Sequence, residues 1–285
     1  TLLRIKALAI PPAWEGVWIC RESSGHIQAR GRDGAKRQQY IYHERWQALS
    51  TAAKFDRMHL VGKLLPRIRR KLRKDLNAKS LTKNRVLAAV VRLIDKGHLR
   101  VGNQAHTNTT GARGATTLGT KHVETDKVTV SLDFPGKSGK RREVEITDRK
   151  VSRVIDHCSE LGGEFLFTYL DKQGTIKNID SAMVNAYLDD IAGESVTAKD
   201  FRTWWGSVIA CEALANDYGH DSKTARKRGV NRAIETAAKA LGNTKAVCKS
   251  SYIHPGLIAA GRSGEIVDLF EKAGQASFGG SPAAG

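Results

Sequence analysis

Three things are scarce in this 285-residue chain, and each scarcity excludes something. Cysteine is thin: Cys20, Cys158, Cys211 and Cys248 lie far apart, with no CxxC pair and no zinc-ligand spacing. That argues against a disulfide-stapled secreted fold and reads as reduced thiols in a cytoplasmic protein. Long apolar runs are missing. The longest wholly apolar stretch, Val86–Val91, is far short of the ~20 residues that span a bilayer, so no membrane association is expected. Acidic residues are short as well, 29 against 47 Lys and Arg. The only adjacent acidic pair is Asp189-Asp190, a helix-surface feature rather than a metal site, and no metal or other cofactor is expected. There is no signal-peptide pattern, and the chain starts at Thr1 in what reads as mid-structure, so some N-terminal sequence is expected to be missing.

What is abundant is positive charge. A net charge of +18 calls for a polyanionic partner, and nucleic acid is the first candidate. Charge alone does not distinguish an enzyme from a non-enzymatic DNA-coating protein. With 40% hydrophobic residues and this length, the chain can build about two domains.

Residues 1–46 read as a small β-rich domain. VWIC (17–20), HIQAR (26–30) and RQQYIY (37–42) are β-prone runs separated by turn residues. From about residue 47 the period becomes helical, with Val61, Leu64, Leu65, Ile68, Leu72 and Leu76 on one face. Pro66 should start or kink that helix. A second helix fits 83–96, with Gly97 as its stop. VTVSLDF (128–134) and REVEI (142–146) alternate as strands around the basic tip PGKSGK. Helices are expected over 148–160, 180–192, 199–216, 223–241 and 262–273, and a disordered Gly-rich tail over 274–285. The larger, mostly helical part is thus 47–273, and the fold class α+β.

One constellation carries chemistry. A tyrosine can attack a phosphodiester to give a covalent phosphotyrosine. The transition state gathers negative charge on the non-bridging oxygens, which planar guanidinium forks suit. The leaving alkoxide needs a general acid, and a lysine among cations can serve. The GKSGK tip is not a Walker loop: Ser131 stands where that pattern needs Gly, and no helix follows, so no nucleotide site is expected.

The local strings give this set an address. LAIPPAWEGVWIC (8–20), GRDGAKRQQYIYHERW (31–46), KFDRM (54–58), LAAVVRLIDKGHLRVGN (87–103), TTLGTKHVE (116–124), FPGKSGK (134–140), TAKDFRTWWGS (197–207) and LGNTKAVCKSSYIHP (241–255) occur in order. The chain resembles the small type IB DNA topoisomerases of poxviruses and bacteria, most closely the bacterial branch, over nearly its whole length. The resemblance implies Tyr252 as nucleophile forming a 3′-phosphotyrosyl link. It implies Arg100 and Arg202 as transition-state arginines, and Lys137 as general acid for the 5′-hydroxyl. Asn243 stands where poxviral enzymes have His, and offers a neutral amide donor. Gln39, Tyr40 and Tyr42 are implied as major-groove contacts, and Lys199 as a phosphate contact. The implied function is metal- and ATP-independent relaxation of supercoiled DNA by a monomer that clamps the duplex, in the cytoplasm at the nucleoid. The chain departs from the family pattern at His106, Arg113-Gly114 and Gly119, which leaves the contacts of 103–120 unassigned. Two other readings stay open at this point. One is a tyrosine recombinase-like strand transferase, although such enzymes carry His-x-x-Arg where this chain has Lys199-Asp-Phe-Arg202. The other is the non-enzymatic DNA-binding protein.

Overall fold

The structure is a computed structural model that describes residues 2–217 and 222–275. It divides into two compact units, Thr1–Arg57 and Met58–Gly285. The expected disordered tail lies outside the described residues from 276 onward.

The N-terminal unit opens with a short helix, α1 (Leu2–Ala7), that the strand-like reading of this region did not anticipate. Three strands follow, β1 (Glu15–Ile19), β2 (Ile27–Arg32) and β3 (Gln38–Tyr42), paired antiparallel in that order. Arg4 fixes α1 to the sheet by donating to Gln28 Oε1 at 2.5 Å and to the Cys20 carbonyl at 2.6 Å. Alternation along β3 puts Tyr40 and Tyr42 on one exposed face, their rings stacked with centroids 5.9 Å apart.

A long helix, α2 (Glu44–Leu76), contains the boundary between the units and runs through Pro66 without a break. The second unit is built around α3 (Lys83–Gly97), which is apolar on nearly every side and so must be buried on every side. Thr82 caps its start by accepting from the Arg85 N–H. Its left-handed cap is His98 at φ 54°, not the expected Gly97, which is the last helical residue and sits where a Cβ would meet Ile146 at 2.8 Å.

A three-stranded antiparallel sheet packs on α3, made of β4 (Val123–Asp126), β5 (Thr129–Pro135) and β6 (Arg141–Thr147). The hairpin was legible, and β4 adds one strand beyond it. Between α3 and the sheet lies a short helix, α4 (Gln104–Thr110). Then come α5 (Arg149–Leu161), a small hairpin of β7 (Thr168–Leu170) and β8 (Ile176–Asn178), and α6 (Ser181–Ala192). The remainder is helical: α7 (Ala198–Ala215), α8 (Lys223–Leu241), α9 (Lys245–Ser251), α10 (Pro255–Ser263) and α11 (Ile266–Gln275). No helix of the described residues is long and apolar enough to cross a membrane.

Two hydrophobic clusters fill this unit. One joins α2, α3, the sheet, α5 and α6 and reaches Phe201 at the start of α7. The other joins Ala210 and Leu214 of α7 to α8, α9 and α10. Side chains such as Phe201 and Leu72 are fully buried, each worth about 1.5–3 kcal/mol of transfer free energy. Helix α7 thus crosses from one core to the other, and Arg202 sits on it at the seam.

Candidate active site

Arg100 lies two residues beyond the left-handed His98, on an extended segment leaving α3. Backbone bonds pin that segment: Ala115 N–H to the Arg100 carbonyl at 2.8 Å and Thr116 N–H to the Val101 carbonyl at 2.7 Å. Only glycine fits at 114, because a Cβ there would lie 2.6 Å from the Arg100 carbonyl oxygen. The guanidinium donates from Nη2 to Asn243 Oδ1. Burial, followed by the neighbouring Arg202 charge, pushes Arg100 down to about 10.

Asn243 follows Gly242, the left-handed cap of α8 at φ 60°, and precedes Thr244, which caps α9. Its carbonyl oxygen is committed to Arg100. Its Nδ2 is buried and has no hydrogen-bond partner. The side chain therefore presents a donor with nothing yet to bind, at the wall of a cleft of about 90 Å³ lined by Arg100, Lys137, Lys140, Gly242, Thr244 and Val247.

Lys137 reaches this cleft from the β5–β6 tip, where Gly136 N–H donates to the Lys140 carbonyl at 2.7 Å. Its side chain is exposed. Arg141 is exposed too and pairs with Asp133. Arg142, by contrast, is half-buried. It turns inward and donates to the Lys239 and Ala240 carbonyls at 3.2 and 3.0 Å, tying the hairpin to the end of α8. Strand alternation was the available signal, since Val144 and Ile146 also face inward and Arg142 pairs across from buried Phe134.

Arg202 is 4% exposed. It donates from Nη1 to the His98 carbonyl and from Nη2 to the Leu241 carbonyl at 2.8 Å, and its Nε has no partner. Burial is the largest influence on it and lowers its pKa, while Tyr252 acts in the opposite sense. The guanidinium carbon stands 5.1 Å from the centroid of the Tyr252 ring.

Tyr252 caps the C-terminus of α9 and donates its N–H to the Cys248 carbonyl at 2.9 Å. It rests on α7 at Gly206, where a Cβ would meet the Tyr252 carbonyl oxygen at 2.6 Å. Ser207 secures it: the hydroxyl donates to the Tyr252 carbonyl at 3.2 Å and accepts the His254 N–H at 2.9 Å. His254 caps α10, its Nδ1 accepting from the Gly256 N–H at 3.0 Å. The Gly-Ser of RTWWGS is a seat for the tyrosine, a role that the string alone did not disclose.

Arg100, Lys137 and Asn243 thus share one cleft, and Arg202 faces Tyr252. Lys199 is exposed near the start of α7. In the N-terminal unit, Gln39 points away from the Tyr40 and Tyr42 face and donates to Asp33 Oδ2 at 2.9 Å. Among the described residues no group of three or more His, Cys, Asp or Glu could hold a metal ion. The four cysteines are free.

Comparison with known proteins gives the family of the chain. Residues 43–260 match the eukaryotic DNA topoisomerase I catalytic core, and residues 1–33 match the bacterial DNA topoisomerase IB N-terminal domain. DNA topoisomerase 1B of Acanthamoeba polyphaga mimivirus is 31% identical over 88% of this chain and 76% of its own length. DNA topoisomerase 1 of Daucus carota is 32% identical over 50% of this chain, which spans only 18% of that protein. A crystal structure of the XerH site-specific recombinase bound to difH substrate shares 14% identity over 67% of this chain and 49% of that one, with a TM-score of 0.41. That likeness is too distant to inform the chemistry. The family match over most of the chain, with the mimiviral relative, shows that this protein belongs to the type IB DNA topoisomerases.

Proposed function

We propose that Tyr252 is the nucleophile, that Arg100, Arg202 and Asn243 bind the non-bridging oxygens, and that Lys137 is the general acid. The Tyr252 oxygen attacks the scissile phosphorus and loses its proton to solvent. The P–O5′ bond breaks, and Lys137 donates a proton to the departing 5′-oxygen. The product is a 3′-phosphotyrosyl link that keeps the bond energy, and religation runs the same steps in reverse. Three donors held in place before DNA arrives cost little reorganisation in the transition state. Each such donor is worth about 10²–10³-fold in rate, and a general acid about 10²–10⁴-fold.

The observation that carries this reading is that two of the four buried, unpartnered side-chain donors among the described residues, Asn243 Nδ2 and Arg202 Nε, lie at this site. Such groups cost about 1–3 kcal/mol each when left unmade, and a phosphate would satisfy both. The net charge of +18 supplies the long-range attraction to duplex DNA. The exposed Tyr40–Tyr42 face, with Gln39 on the same strand, is proposed to contact the major groove. Residues 1–46 would form the clamp domain and 47–273 the catalytic domain. Lys199 is proposed to contact a phosphate. The protein is proposed to act as a monomer in the cytoplasm, at the nucleoid. The test is relaxation of positively and negatively supercoiled plasmid in EDTA without ATP. Relaxation of both is the expected result, and strict dependence on magnesium or ATP would overturn the proposal.

A further inference from the structure

Behind Arg202 lies a chain of side chains, centred on one buried carboxylate, to which the proposed chemistry gives no part. Asp95, in the last turn of α3, is 2% exposed. It accepts from Arg69 twice, Nε to Oδ2 at 2.9 Å and Nη2 to Oδ1 at 3.0 Å. Its Oδ1 also accepts from the indole Nε1 of Trp205 at 2.9 Å. Trp205 is three residues beyond Arg202, so both project from one side of α7. The Trp205 ring packs on the His98 imidazole, with centroids 4.9 Å apart. The His98 carbonyl in turn accepts from Arg202. One carboxylate therefore joins α2, α3 and α7, and the backbone it steadies leads directly into Arg100.

We infer that Asp95 is a positioning residue for Arg202. Its bond to Trp205 sets the rotation of α7 against α3, and the Trp205 ring holds His98 so that its carbonyl fixes the guanidinium plane. With both Nη groups tied to carbonyls, the direction of the unpartnered Nε depends on that rotation. A misplacement of about 1 Å at a reacting centre can cost roughly 10²-fold. This inference rests on Arg202 being a transition-state arginine.

The experiment compares Asp95→Asn, Trp205→Phe and Arg202→Ala with the parent chain in single-turnover cleavage. Two DNAs are used: one ordinary, and one in which a methyl group replaces a non-bridging oxygen of the scissile phosphate. The methyl substrate lacks the charge that Arg202 neutralises. Asp95→Asn weakens the Arg69 bridge, and Trp205→Phe removes the indole N–H but leaves a ring on His98. Either is expected to slow cleavage of ordinary DNA about 10–10²-fold. On the methyl substrate each should come within about threefold of the parent, as should Arg202→Ala. A deficit of equal size on both substrates, or no deficit on ordinary DNA, overturns the inference. Trp205→Phe decides the matter if Asp95→Asn does not fold. If Arg202→Ala itself shows equal deficits on both substrates, the reading of Arg202 fails as well. If Arg202→Ala recovers and the other two do not, only the positioning role is wrong.

Discussion

Asn243 offers the sharpest test of the site because its two ends have different tasks. Its Oδ1 holds Arg100, and its Nδ2 is buried without a partner. Asn243→Ala removes the unpartnered donor and loosens Arg100, so cleavage should slow about 10²–10³-fold. Asn243→Asp keeps an acceptor for Arg100 but turns a carboxylate oxygen toward the phosphate in place of the amide. Two negative charges about 4 Å apart at an effective dielectric of about 20 repel by roughly 4 kcal/mol, about a further 10³-fold. Asn243→His keeps a donor and should retain substantial activity. The expected order is Asn, His, Ala, Asp. The assay is the rate of covalent complex formation in a single turnover, with non-covalent DNA binding measured alongside. If Asn243→Asp cleaves as fast as Asn243→Ala, the amide does not donate to the phosphate and the argument from its unmade bond is wrong.

Lys137→Ala should slow cleavage about 10²–10⁴-fold on ordinary DNA, but much less on DNA whose bridging 5′-oxygen is replaced by sulfur, since a thiolate leaves without a proton. Equal slowing on both substrates would make Lys137 a phosphate contact. His98 gives a prediction about stability. Burial, with Arg142 and Arg202 adding and Asp95 opposing, holds its pKa down from 6.5 to about 4. Between those values the unfolded chain binds a proton that the folded protein refuses. The stability is fully present above about pH 6.5, falls as pH drops toward 4 and levels below it, a loss of about 3 kcal/mol. Urea unfolding from pH 7 to 4 should show a smaller loss in His98→Asn, a residue that tolerates the left-handed region, and an unchanged loss would refute the assignment.

Much of this fold was legible because its signals are local. Helices α5 through α8 start at Asp148, Asp180, Thr197 and Ser222, side chains that satisfy the first free N–H groups or, at Thr197, pair with Asp200 in a capping box, so their starts lie close to where sequence places them. The short helices α1, α4, α9 and α10 were missed, being too brief for a period to show, and the β7–β8 strands carry three residues each. The helix cap falls on His98, one residue past Gly97, whose lack of a side chain instead lets Ile146 and Val144 approach the helix closely. For the site, sequence named the residues by resemblance, but not how they are held. The Asn243 bond to Arg100 joins residues 143 apart, and Trp205 reaches Asp95 across 110. No local pattern encodes such pairings. Arg142 is different: strand alternation was a readable signal.

The most direct test of the central claim is the identity of the residue joined to DNA. Cleavage of a duplex in EDTA, denaturation and proteolysis should leave one peptide on the 3′-phosphate, linked through Tyr252. Tyr252→Phe should form no adduct while binding DNA nearly as well, because it loses one hydroxyl and no charge. A linkage at any other residue, or protein-linked DNA persisting in Tyr252→Phe, would contradict the account.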